Sequence, residues 1–125
     1  MTIGCSIPIQ PCLIDISAYP HLGFGFCAAG TARAYYTLDA MGDVRPCNHT
    51  TTVLGNAWHE PFAAIIAPER LADFVAALPA VCAACARRAE CQGGCKAAAQ
   101  VCYEDLTAEE PFLRLSQGHR CSVTR

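Results

Sequence analysis

Residues 82–95 read Cys-Ala-Ala-Cys-Ala-Arg-Arg-Ala-Glu-Cys-Gln-Gly-Gly-Cys, a Cys82-x2-Cys85-x5-Cys91-x3-Cys95 run. A Cys-x2-Cys turn lets two thiolates converge on one metal centre. Two more thiolates a few residues on can reach the same centre or a neighbouring one, as in compact iron–sulfur ligand runs. Tetrahedral zinc sites use cysteine sets of similar spacing. By itself the run leaves zinc and iron–sulfur chemistry both open, with a disulfide knot as a third reading.

Outward from that run, the chain carries ten cysteines in 125 residues: Cys5, Cys12, Cys27, Cys47, Cys82, Cys85, Cys91, Cys95, Cys102 and Cys121. Such density means disulfides in an oxidising compartment or metal in a reducing one. No basic stretch followed by an apolar one opens the sequence, so no secretory signal is read. The expectation is therefore a cytoplasmic, metal-binding chain. No apolar run reaches the roughly 18 residues of a membrane span. The net charge of −2 offers no basic face for nucleic acid. Apolar residues make up 53% of the chain, but many are alanine and cysteine, and alanine buries little area. Metal–thiolate bonds are expected to add stability that such a thin core lacks.

Residues 1–25 read as an irregular lead-in, interrupted by Pro8, Pro11 and Pro20. The domain proper is placed at 26–125. Arg33–Asp39 alternates moderately and is β-rich, Ala40-Met41-Gly42 reads as a turn, and Asp43–Pro46 returns as a second strand. Gly55-Asn56 reads as another turn, and residues 60–67 as a short helix or bend. Pro68–Leu78 is the clearest helix, with Leu71, Phe74, Val75 and Leu78 on one stripe and Pro79 ending it. Lys96–Asp105 is a second helix, followed by a tail. The class is α+β, a small cysteine-rich domain in which a hairpin precedes helices.

The hairpin carries Cys27 upstream and Cys47 downstream, in the pattern Cys27-x14-Gly42-x4-Cys47. Followed by the 82–95 run and a late cysteine, this order resembles the SPASM domain, the auxiliary-cluster domain of many radical S-adenosylmethionine (radical SAM) peptide-modifying enzymes. Gly42-Asp43-Val44-Arg45-Pro46-Cys47, Val53-Leu54-Gly55-Asn56 and Cys91-Gln92-Gly93-Gly94-Cys95 are similar to stretches typical of that family. The resemblance runs from about Phe26 to Cys121. It implies helices and a hairpin packed around two [4Fe–4S] clusters with interleaved ligands. Cys27, Cys47 and Cys95 would hold the first cluster, and Cys82, Cys85 and Cys91 the second. It implies an auxiliary role in electron transfer or substrate positioning, with a radical SAM catalytic domain or chain as partner and a precursor peptide as substrate.

The sequence departs from the family pattern in two places. The late ligand of the family often stands in an Asp-Pro-x-Cys stretch, and here Glu110-Pro111-Phe112-Leu113 puts a leucine there. Cys121, on a tail that folds back easily, is the expected replacement, with Cys102 on the predicted helix as its rival. Cys12 is the candidate fourth ligand of the first cluster, since the lead-in can fold over the hairpin. The Cys-x3-Cys-x2-Cys triad of the catalytic radical cluster is also absent from the sequence. The chain is thus expected not to be catalytic alone, but to act as a stand-alone module or as a piece of a longer enzyme. The competing class is a zinc-stabilised protein-interaction domain without a redox role.

Other residues get plainer readings. Cys5 is a bystander thiol. His49 and His59 are surface or hydrogen-bonded residues rather than ligands. Trp58 is a core or interface anchor. Arg87 and Arg88 form a solvated face or offset cluster charge. The N–H groups of Gly93 and Gly94 are expected donors to sulfur, because glycine lets the backbone approach closely.

Overall fold

A computed structural model of the chain describes residues 3–116. In chain order the strands are β1 (Ile3–Gly4), β2 (Leu22–Gly23), β3 (Thr37–Leu38), β4 (Asp43–Arg45) and β5 (Gly55–Asn56). The helices are α1 (Phe62–Ile65), α2 (Pro68–Ala76), α3 (Arg88–Cys91), α4 (Lys96–Tyr103) and α5 (Pro111–Ser116). Strands and helices together make the α+β class expected. The chain forms two compact units, residues 28–77 and, with the lead-in, residues 3–27 plus 78–116. The lead-in, read from sequence as a segment ahead of the domain, is thus part of the unit that carries the 82–95 run.

The 28–77 unit is built on the hairpin. Asp39 shapes its turn: one side-chain oxygen accepts from the N–H of Met41 at 2.9 Å and of Asp43 at 3.1 Å, and the other binds Arg45 at 2.8 Å. An aspartate that bonds the backbone two residues on stabilises such a turn without help from a sheet. Gly42 completes it at φ +89°, where a Cβ would collide with the Trp58 ring. Only glycine combines that dihedral with that contact. The ladder pairs Thr37 with Arg45 and Leu38 with Val44. The first strand is shorter than the expected Arg33–Asp39, because Thr31 and Ala34 close turns onto Ala28 and Thr31 instead.

Gly55-Asn56 is not a turn. It is β5, antiparallel to β4, pairing Asp43 with Asn56 and Val44 with Gly55. The reason lies in the Asn56 side chain. Its amide nitrogen donates to the Met41 carbonyl and to Asp43 Oδ1, both at 2.9 Å, and so laces the hairpin together. The turn moves on to residues 56–60, where the N–H groups of His59 and Glu60 reach the Asn56 carbonyl.

Under this sheet lies a conventional apolar core of Val44, Leu54, Ile65, Leu71 and Phe74, with Val44 and Ile65 at 0% exposure. Arg70 on α2 ties helix to loop, donating to the Leu54 carbonyl at 2.9 Å and pairing with Glu60 at 2.7 Å. The α2 stripe is narrower than read. Leu71 and Phe74 are buried, while Val75 is exposed. Leu78 falls past the helix end, because the residue before a proline is pushed out of helical geometry. Trp58 is 74% exposed and so is no core anchor.

The other unit is thinner. A parallel pair joins Ile3 to Leu22 and Gly4 to Gly23. Three short helices follow the 3-10 turn at Ala80–Cys82. Its buried set is Cys91, Cys95, Ala97, Ala99 and Ala108, with the polar Gln10, Lys96 and Glu110. One long-range link stands out: the Gln10 side-chain amide donates to a Glu110 carboxylate oxygen at 2.9 Å. Arg114 stacks over the Tyr103 ring at 4.1 Å, holding α5 to α4.

Candidate metal centre

The Cys-x2-Cys turn is shaped by local hydrogen bonds. Cys82 closes the 3-10 turn, and the N–H of Cys85 reaches the Cys82 carbonyl at 3.1 Å. Cys91 is the last residue of α3, which Gln92 ends in a left-handed conformation at φ 54°. The chain then doubles back through Gly93 and Gly94, both at positive φ. The Gly94 N–H closes this turn onto the Cys91 carbonyl at 3.2 Å, and the Gly93 and Gly94 N–H groups face the Cys91 sulfur closely enough to lower its pKa.

These three cysteines line one apolar cavity of about 110 Å³. Cys12, expected beside Cys27, Cys47 and Cys95, lines the same cavity, as do Leu113, Arg87 and Arg88. Burial pushes the Cys82 thiol above its ordinary pKa, and the nearby Cys91, Cys85 and Cys12 add to it. Burial raises Cys91 as well; the Gly93 and Gly94 N–H groups pull it back, while Cys12 and Cys85 oppose them. Sulfurs so placed keep their protons unless a cation joins them, and coordination to a metal removes the proton outright. The donor set therefore suits a positively charged thiophilic group. Both arginines have partners next to this cavity: Arg87 pairs with Glu90 at 3.0 Å, and Arg88 donates to the Ala83 carbonyl at 3.0 Å.

Among the described residues, no three His, Cys, Asp or Glu side chains lie close enough to hold one metal ion together. A tetrahedral zinc site needs sulfurs about 2.3 Å from a single point, hence within roughly 4 Å of one another. A polynuclear cluster puts each thiolate on a different iron and spreads them wider. Cys82, Cys85 and Cys91 line one cavity without being drawn in around a single point.

The remaining candidates are distributed as follows. Cys95 is buried at the start of α4, directly before the buried Lys96. Burial lowers the Lys96 pKa, and the Cys27 sulfur raises it again, so Cys27 and Lys96 are electrostatic neighbours. Cys47 lies just past β4 in the 28–77 unit and is half-buried. Cys102 on α4 is disulfide-bonded. Cys121 lies outside the described residues. Cys5 sits beside β2, its N–H on the Gly23 carbonyl at 2.9 Å. His49 and His59 are exposed.

Sequence reasoning missed the buried Gln10–Glu110 pair and the company Cys12 keeps. The two partners stand 100 residues apart, and neither polar residue advertises burial. The only local hint is Glu110 directly before Pro111 at the start of α5, a position from which a carboxylate can cap a helix.

The sequence matches the SPASM family model, an iron–sulfur cluster-binding domain, over residues 27–92, just over half of the chain. The match includes Cys27, Cys47, Cys82, Cys85 and Cys91, and Cys12 lies ahead of it. No curated protein and no solved structure matches the chain.

Proposed function

Because the chain belongs to the SPASM family of iron–sulfur cluster-binding domains, we propose that it holds two [4Fe–4S] clusters as an auxiliary module for radical SAM peptide modification. The observation that carries this reading is the family match over residues 27–92, joined by the one apolar cavity that Cys82, Cys85 and Cys91 line together. Cys27, Cys47 and Cys95 are the ligands proposed for the other cluster.

When bound, such clusters supply one-electron transfer or a coordination point for substrate. The chain's own residues set the conditions. Gly93 and Gly94 offer N–H donors to the Cys91 sulfur, and hydrogen bonds of that kind raise a cluster's reduction potential. Arg87 and Arg88 set positive charge at the cavity, and Lys96 sets it beside Cys95 and Cys27. The partner proposed is a radical SAM catalytic domain or chain, and the substrate a precursor peptide. A reducing cytoplasm, which keeps thiols available to iron, suits eight cysteines outside disulfides among the described residues, and the Cys102 disulfide is the exception. No helix among the described residues is long and apolar enough to cross a membrane.

Anaerobic purification tests the proposal. Brown protein with about eight iron and eight sulfide per chain is expected. Colourless protein with stoichiometric zinc would instead support a zinc-stabilised interaction domain. Replacing Cys85 with alanine should remove about half of the iron, and unchanged iron would reject its assignment.

A further inference from the structure

We infer that Cys12, from the segment ahead of the matched domain, is the fourth thiolate of the cluster held by Cys82, Cys85 and Cys91. The inference rests on the cluster reading above and deepens it. It moves a ligand from the tail of the chain to its beginning.

The cavity itself supplies the first argument. Of the residues that line it, Cys82, Cys85, Cys91 and Cys12 carry thiols. Arg87 and Arg88 offer only donors and cannot ligate a cation. Gln10 presents an amide oxygen, a hard ligand where iron–sulfur chemistry takes thiolates. Leu113, standing where a late cysteine was expected, lines the cavity with no donor atom at all. Four thiols are what a four-iron cluster requires.

The second argument is how firmly Cys12 is held there. Two residues upstream, Gln10 is 3% exposed and bonds to Glu110, itself 2% exposed. Glu110 also accepts the N–H of Phe112 at 2.9 Å, so one carboxylate fixes both the lead-in and the start of the helix that carries Leu113. On its other side the Gln10 side chain fills the space a Cβ on Gly94 would need. The segment is thereby packed onto the Cys91–Cys95 turn, and the N–H of Leu13 returns to the Gln10 carbonyl at 3.0 Å, closing a turn around Pro11 and Cys12. A ligand needs this kind of fixed backbone, since thiolate geometry at a cluster is set by the residues behind it.

The test uses the full chain, loaded anaerobically with ferrous iron and sulfide, and counts iron alongside the electron paramagnetic resonance of the reduced protein. A wild-type chain that takes up no iron would sink the proposed function and leave nothing for Cys12 to bind. With a loaded wild type, Cys12→Ala should lose iron, up to about half of the total. The double variant Cys12→Ala/Cys85→Ala should lose no more than Cys85→Ala alone, because both residues serve one cluster. Adding Leu113→Cys to Cys12→Ala should restore the iron and the signal, since residue 113 lines the same cavity. Full iron and an unchanged signal in Cys12→Ala would overturn the inference, and would do so for Cys121 if Cys121→Ala alone lost the cluster. Losses that add in the double variant would place Cys12 on the other cluster and overturn it equally. If Cys12→Ala loses more than half of the iron, recovery with Leu113→Cys supports the assignment and failure to recover rejects it.

Discussion

The two units stabilise themselves by different means. Residues 28–77 have a three-stranded sheet, an aspartate-shaped turn, a bidentate Arg70–Glu60 pair and a core of Val, Leu, Ile and Phe. Residues 3–27 with 78–116 have short helices and a two-residue strand pair around alanine, cysteine and buried polar groups. The first is stabilised as ordinary small domains are, by apolar burial and satisfied hydrogen bonds. The second buries little hydrocarbon beyond alanine and cysteine, and its clustered thiols stay protonated until a cation joins them. Metal binding there is folding free energy. The cluster is thus expected to be structural for one unit whatever it does for electrons.

The largest expected effect of that contrast follows metal removal. Chelation of the loaded protein should strip hydrogen-exchange protection from the amides of residues 97–103 by at least about 100-fold, while β4 and β5 keep theirs. Equal loss in both would show that the 28–77 unit also depends on metal. A core truncation runs the comparison in reverse. Phe74→Ala should cost about 3–5 kcal/mol in urea unfolding, yet leave iron per folded chain unchanged at the Cys82–Cys85–Cys91 cavity.

Much of this contrast is legible in the sequence, but unevenly. The hairpin can be read because its determinants are local: Gly42 at the turn, Asp39 three residues before it and alternating residues on both sides. Cys82, Cys85 and Cys91 can be grouped because they stand within ten residues of one another. Gly55-Asn56 misleads because glycine and asparagine usually mark turns, and here the asparagine spends its hydrogen bonds on the neighbouring strand. The surroundings of Cys12 are not legible. They are decided by Gln10 and Glu110, a long-range pair between two polar residues, which no periodicity signals.

Smaller effects sharpen the electrostatic side of the contrast. Lys96→Met removes a buried positive charge beside Cys27. It should lower the reduction potential of one cluster by on the order of 50 mV, close to tenfold for a one-electron couple, leaving the other in place. Potentials unchanged in cyclic voltammetry would separate Lys96 from both clusters.

The smallest effect is the pH response of Glu110. Burial raises its pKa above the ordinary 4.5, opposed by hydrogen bonds from Gln10 and the backbone. A raised folded-state pKa contributes stability that is complete below 4.5 and lost as pH rises through the folded value. The stability of the loaded protein, read from urea midpoints, should therefore fall over that interval, by at most about 1.4 kcal/mol for each pH unit it spans. Glu110→Gln should flatten the profile, and a variant with the wild-type slope would assign the effect to another group.

Metal-edge X-ray absorption of the anaerobically isolated chain addresses the cluster most directly. Iron with an all-sulfur first shell and a clear iron–iron vector is the predicted spectrum, for both clusters together. A zinc edge with four sulfurs at about 2.3 Å and no metal–metal scattering would contradict it.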